Sequence, residues 1–279
     1  RSFLIQLHYF YISNYKSLEV LGYFGALLIG IILGITGGGG SILTVPTLVY
    51  ILNYNPIIAT AYSLFIVGTT SGIGTIQNFK KGLVVPKKAF QFAVPSLIGV
   101  YLTRKFIVPN IPDVVFYFGS LKLSKDTFLM ILFAVVMFIA AYSMLKNKKK
   151  NELIERTTKS ITVIIIQLFF VGALIGLIGA GGGFLIIPAL VHFAKLPIKK
   201  AIGTSLFIIA CNSLIGFSGD VQNINPDWSF LFKFASFAMT GIFLGIYLSR
   251  FFNEQSLKKI FGWFVLTMAV FILTKEILF

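Results

Sequence analysis

The sequence predicts an all-α polytopic membrane protein built from two inverted-topology repeats, and three observations lead there. Hydrophobic residues make up 57% of the 279 and charged residues 12%, with a mean hydropathy of +0.90. A soluble domain carries about 25% charged residues, so this chain has too little polar surface to cover a globule in water. The apolar residues also fall in runs of about 20, the length that crosses a hydrocarbon core of ~30 Å. A membrane barrel would show alternating strands of about ten residues instead. Third, the stretch Gly37-Gly38-Gly39-Gly40-Ser41-Ile42-Leu43-Thr44-Val45-Pro46 returns 142 residues later as Gly179-Ala180-Gly181-Gly182-Gly183-Phe184-Leu185-Ile186-Ile187-Pro188. The same shift carries Gly30 to Gly172, Ala59 to Ala201, Ser63-Leu64-Phe65 to Ser205-Leu206-Phe207, and Gly99 to Gly241 without a gap.

In chain order, residues 1–16 form an N-terminal segment, apolar and aromatic from Phe3 to Ile12 but too short to span. Because the first methionine is Met130, the natural start is expected to lie upstream. Residues 17–145 are the first repeat, with apolar elements at Leu18–Ile35, Ser41–Leu52, Ile57–Phe79, Ala89–Val108 and Thr127–Leu145. The second element is short. Twelve residues rise about 18 Å as a helix, which predicts a half-helix starting at a break within the membrane. The insert Pro109–Ser124 has no counterpart in the second copy and is expected to be an external loop. Residues 146–159 carry six basic residues and two glutamates and predict a cytoplasmic linker. Residues 160–279 are the second repeat, with elements at Ile161–Ile178, Phe184–Ala194, Ala201–Phe217, Ser229–Phe251 and Leu257–Ile277. The count is thus about 8–10 membrane segments. If the half-helices do not cross, full crossings fall to about eight and some loops change side.

Charge decides the symmetry of the two copies. Lys80, Lys81, Lys87 and Lys88 place one loop inside, whereas its equivalent, Gly219–Trp228, has Asp220 and Asp227 and no lysine. Conversely, Asn53–Pro56 is uncharged and its equivalent, Lys195–Lys200, carries three lysines. Equivalent loops on opposite faces are the mark of an inverted repeat. The net charge of +15 comes from such short loops, so it reads as membrane orientation and not as nucleic-acid binding.

Paired glycine and proline interruptions in the two halves of an apolar chain point to a transporter binding site. Freed backbone in hydrocarbon costs several kcal/mol per unpaired group and persists only where it is packed in protein or lines a wet cavity. Gly37, Gly38, Gly39 and Gly40 precede a helix start, with Ser41 placed as an N-cap or first-turn hydroxyl. A helix N-terminus offers free N–H donors and partial positive charge to an oxyanion. Gly181, Gly182 and Gly183 repeat the arrangement, and two such termini would make a pseudo-symmetric anion cradle. Gly22, Gly25, Gly30, Gly34, Gly172 and Gly176 read instead as helix-packing positions.

Hydroxyls and amides within membrane depth complete the candidate site: Thr44 and Ser63 in the first copy, Thr204, Ser205 and Asn212 in the second. Ser63 aligns with Ser205, and Ser71 with Ser213. Alone, each hydroxyl would be expected to bond its own helix backbone. Membrane-embedded carboxylates are the usual cation relays. The acids here sit near segment ends, which favours an anion bound by neutral donors with no deep cation. The single cysteine, Cys211, has no metal spacing. No catalytic group can be assembled, so the expectation is a protein that is not an enzyme and needs no cofactor or metal.

The Gly37–Pro46 break, the stretch Ala59-Thr60-Ala61-Tyr62-Ser63-Leu64-Phe65 with its twin Ala201-Ile202-Gly203-Thr204-Ser205-Leu206-Phe207, and Gln77-Asn78-Phe79-Lys80-Lys81-Gly82 resemble the TauE/SafE family. The resemblance covers about Leu21 to Ile277. It implies a sulfite or organosulfonate exporter in the bacterial inner membrane, moving a small sulfur-containing anion. The second copy departs from the pattern with Ala180 for a glycine and Gly183 for Ser41. A passive anion channel and a non-transporting assembly protein are the alternative functions. A homodimer is one candidate assembly, since the sequence leaves the oligomeric state open.

Overall fold

The computed structural model describes residues 20–118, 121–145, 161–251 and 254–278. The N-terminal segment and the basic linker of the sequence reading therefore lie outside the described residues. Helix α1 (Val20–Thr36) ends at the first glycine break. The half-helix α2 (Ser41–Pro46) continues as a π-helical turn, Thr47–Ile51. Proline lacks the N–H that an α-ladder needs, and the switch from α to π comes directly after Pro46. Next come α3 (Pro56–Lys80) and α4 (Pro86–Leu102), the latter extended by a second π-helical turn, Thr103–Ile107, and by α5 (Val108–Asn110). The first copy closes with α6 (Lys125–Leu145). The second copy comprises α7 (Ile161–Ile178), the half-helix α8 (Gly183–His192), α9 (Ile198–Asp220), α10 (Trp228–Leu248) and α11 (Glu254–Leu278).

The fold is an all-α membrane fold. Among the described residues, five helices are long and apolar enough to cross a membrane: those over Pro56–Lys80, Pro86–Asn110, Lys125–Tyr142, Ile198–Asp220 and Trp228–Leu248. Large apolar side chains such as Phe24, Phe138, Ile139, Tyr142, Phe170 and Phe271 face outward, a surface suited to lipid. The one departure in class is small. Within the insert, β1 (Val114–Phe118) and β2 (Leu121–Ser124) pair antiparallel, with an irregularity between Val114 and Phe116.

Both half-helices begin at equivalent residues, Ser41 and Gly183, and each contains its proline, Pro46 or Pro188. The first folds back along α1. A Cβ placed on Gly22 would touch the Leu52 side chain at 2.7 Å, one on Gly25 would meet Thr47 Cγ2 at 3.0 Å, and one on Gly40 would meet Leu33 N at 2.5 Å. As the chain advances along α1, its partners recede along α2, so the two form an antiparallel hairpin. The chain leaves this hairpin at the end where it entered. Such a hairpin returns the chain to its starting end, as a pair of helices crossing and recrossing would.

Contacts between the copies are reciprocal. Gly30 on α1 abuts the backbone of Ala238 and Ile242 on α10, and its equivalent Gly172 on α7 abuts the backbone of Ser96 on α4. Gly241 abuts Leu27, Gly30 and Ile31, while Gly99 abuts Phe169, Gly172 and Ala173. Every residue of the second set lies 142 positions from one of the first. These glycines let helix backbones meet where any side chain would intrude, as the packing reading expects. At the centre, α3 and α9 lie side by side. Gly216 lies against Leu64, Gly68 against Leu214 and Gly74 against Leu206, so the two equivalent helices run antiparallel.

Candidate functional site

The two glycine breaks meet. The N–H of Gly37 donates to the Leu33 carbonyl at 2.8 Å and that of Gly179 to the Ile175 carbonyl at 2.9 Å, closing α1 and α7 at equivalent points. Both glycines are left-handed, with φ of +73° and +71°, the conformation in which helices commonly end on glycine. A Cβ on Gly38 would lie 2.6 Å from Gly183 Cα, so the breaks touch backbone to backbone. Side chains press on the other glycines of the breaks as well. A Cβ on Gly37 would strike Ile202, one on Gly181 would meet Val67 at 2.6 Å and Ser213 Oγ at 3.0 Å, and one on Gly182 would strike Ile175.

Some of the expected donors are already engaged. Ser41 is the first residue of α2 and not its cap, since Gly40 holds that position. Its hydroxyl donates to the Gly38 carbonyl at 2.7 Å. The Gly39 N–H donates to Thr36 Oγ1 at 2.8 Å. Ser205 donates to the Gly37 carbonyl at 2.6 Å, tying α9 to the first break. Thr204 Oγ1 accepts from Val85 N–H at the start of α4, and Asn212 pairs with Ser96 across α4 and α9 at 2.9 Å. These three hold helices and breaks in register.

Other polar groups have no partner among the described residues. The hydroxyls of Thr44, Ser63, Ser71 and Ser213 are fully buried and unpaired. Leaving such a group unpaired costs about 1–3 kcal/mol. Ser71 and Ser213 are equivalents in the two copies, whereas Ser63 and Ser205 are not alike, one unpaired and the other bonded to Gly37.

Sequence reasoning missed the only buried ion pair found among the described residues. Arg104, with 0% of its side chain exposed, donates through Nη1 to Asp220 Oδ2 at 3.0 Å and to Thr60 Oγ1 at 3.1 Å. Thr60 itself donates to the Ile57 carbonyl at 2.9 Å. A side chain on Gly179 would strike Arg104 Nη2 and Thr60, so the guanidinium packs directly on the second break. The sequence reading placed no cation near the breaks, and Arg104 lies directly against one of them. Arg104 stands on the π-helical turn Thr103–Ile107, a feature that recurs at functional sites. Gly219 lets α9 come close, since a Cβ there would lie 3.2 Å from Arg104 Cβ. A signal existed: an arginine inside an apolar run is by default a candidate functional residue. A pocket of about 180 Å³ opens beside the pair, lined by Ile57, Ala61, Val108, Lys125, Asp220 and Asn223 among others.

With that geometry in view, comparison with known proteins decides the family. The sequence profile of the family described as sulfite exporter TauE/SafE matches residues 23–275. The chain belongs to the TauE/SafE family. Among its relatives, a probable membrane transporter protein of Xylella fastidiosa is 29% identical over 258 residues, covering 89% of this chain and 92% of that protein. Probable membrane transporter protein YunE of Bacillus subtilis is 28% identical over 268 residues, covering 88% and 93%. A third, from Haemophilus influenzae and described in the same words, is 30% identical over 213 residues, 72% of each. No solved structure gives a significant match. This TauE/SafE protein is thus a multi-pass member of a membrane transporter family. Its paired breaks are the parts on which a transport reading must be built.

Proposed function

We propose that this protein exports small sulfur-containing oxyanions, sulfite or organosulfonates, across the bacterial inner membrane. The observation that carries the reading is the set of four buried, unpaired hydroxyls, Thr44, Ser63, Ser71 and Ser213, carried on helices that pack around the two abutting breaks. Each of these hydroxyls can donate one neutral hydrogen bond to an oxyanion. At about 1 kcal/mol net per such contact, affinity falls in the micromolar to millimolar range, which suits a site that must also release. The family description names sulfite, and this chain's charge excess lies in loops rather than in a cation-binding carboxylate cluster.

We further propose that the two copies are inverted in the membrane, about a pseudo-two-fold axis in its plane. Support comes from the antiparallel run of the equivalent helices α3 and α9, since an axis along the membrane normal would leave equivalent helices parallel. The lysines at 80–88 and 195–200 then share the cytoplasmic face, and Asp220 and Asp227 the opposite one.

A thermal-shift and calorimetric series on the purified protein tests the cargo. Sulfite, thiosulfate, sulfate, taurine and sulfoacetate are titrated beside a simple carboxylate. A binder gains stability as RT ln(1 + [L]/Kd), so a sulfur oxyanion should raise the melting temperature in a concentration-dependent way. No response to any of them would sink the reading. Stepwise single-channel conductance in a bilayer would replace the transporter with an anion channel.

A further inference from the structure

Arg104 is bound in an unusual way for a buried arginine. A guanidinium in a structural ion pair commonly meets its carboxylate as a two-point fork. Here one nitrogen, Nη1, makes both contacts, to Asp220 Oδ2 and Thr60 Oγ1. Nε and Nη2 are buried with no acceptor among the described residues. Those two nitrogens form the side-on edge, whose parallel N–H bonds match two oxygens on one atom. Nη2 packs on the second glycine break, where any side chain at Gly179 would strike it. Asp220 is the one residue common to the ion pair and the lining of the neighbouring pocket. Its side chain is 8% exposed and that of Arg104 is fully covered. The pocket, at about 180 Å³, has room for a small sulfonate, given that a water occupies about 30 Å³.

We propose that Arg104 is the charged contact of the transported oxyanion, which it takes side-on through Nε and Nη2, and that Asp220 is a resident carboxylate competing for the same guanidinium. This rests on the anion-transport reading above and adds a residue, a geometry and a selectivity to it. With no anion bound, Asp220 neutralises the arginine and closes it off from the pocket. An arriving anion displaces the carboxylate that stands between Arg104 and the pocket and pairs with the unpartnered edge. A two-point contact requires two oxygens on one centre. Sulfite, sulfonates and carboxylates therefore qualify, and chloride, a single point, does not.

Calorimetric titration of the purified full chain with sulfite, methanesulfonate and chloride tests this on four proteins. Wild type should bind the first two and not chloride. Arg104→Lys keeps the charge and loses the fork, and should bind at least tenfold more weakly. Asp220→Asn removes the competitor and should bind several-fold more tightly, whereas a purely structural pair would leave affinity unchanged or reduced. The double variant R104Q/D220N leaves no lone buried charge and should not bind. Sulfite affinity equal to wild type in the double variant or in R104K overturns the arginine's role while the transport reading stands. Weaker binding in D220N overturns the competition. Should the double variant fail to fold, R104K and the sign of the D220N change decide. If wild type binds neither sulfur anion, the transport reading falls and this proposal with it.

Discussion

Ser63 and Ser205 occupy equivalent positions but have different employment, and that difference makes a sharp expectation. Ser205 donates to the Gly37 carbonyl at 2.6 Å, so Ser205→Ala removes a bond that pins a break and leaves a buried carbonyl short of its donor. A loss of about 1–2 kcal/mol follows, readable as a lower melting temperature in detergent. The Ser63 hydroxyl bonds nothing among the described residues, so Ser63→Ala should leave the melting temperature unchanged or slightly raised. If its hydroxyl faces the cargo, the same variant weakens sulfite binding a few-fold. Equal destabilisation by both variants would mean that the repeat imposes one role on both serines. Ser71→Ala and Ser213→Ala belong with Ser63, because both hydroxyls are likewise buried and unpaired. At this scale the sequence was read least well. Repetition drew attention to residues that recur, such as Ser63 and Ser205. Arg104, whose equivalent is the apolar Ile246, recurs nowhere and was passed over. A binding feature that breaks the symmetry is invisible to a search that rewards symmetry.

Among the elements, the half-helices were the most legible. A 142-residue shift of a glycine run and its proline marked both breaks, and the structure starts α2 at Ser41 as expected and α8 at Gly183, one residue before the expected Phe184. Physical necessity explains this, since a helix that ends in left-handed glycine leaves a mark in the sequence. The hairpin β1–β2 was not foreseen, because the insert has no second copy to compare, although the run Val114-Val115-Phe116-Tyr117-Phe118 is a strand signal in its own right. The glycine-mediated helix pairs supply the next expectation. Gly172 approaches Ser96 so closely that a Cβ there would stand 2.7 Å from Ser96 Cα. Gly172→Leu must push α7 away from α4, and overpacking of this kind costs about 1–3 kcal/mol. Gly82 is the control, since it has left-handed φ of +67° but open space around it. Gly82→Asn, a residue tolerant of that conformation, should be nearly neutral. Thermal unfolding of the two variants side by side checks it, and equal stability would remove backbone contact as the reason for the α4–α7 glycines.

The whole molecule is held by contacts that exchange the two copies: α1 of one against α10 of the other, α7 against α4, and α3 against α9. Reciprocity of this kind places each break under the control of the opposite copy. Gly37 is held by Ser205 and Ile202, and Gly179 by Thr60 and Arg104. Each break is thus packed against residues of the opposite copy, an arrangement suited to repeats that move against one another. Sidedness is the direct test of the arrangement. In a background with Cys211 replaced by serine, single cysteines are introduced at Gly82 in the lysine-bearing loop and at Asn223 in its acidic equivalent. A membrane-impermeant thiol reagent is applied to intact cells and to inverted vesicles. Inversion predicts that Asn223→Cys labels in cells and Gly82→Cys in inverted vesicles. A parallel repeat would place both on one face and label them together. Labelling of both from the same side would therefore end the inverted arrangement, and with it the expectation that the two breaks approach the cargo from opposite faces.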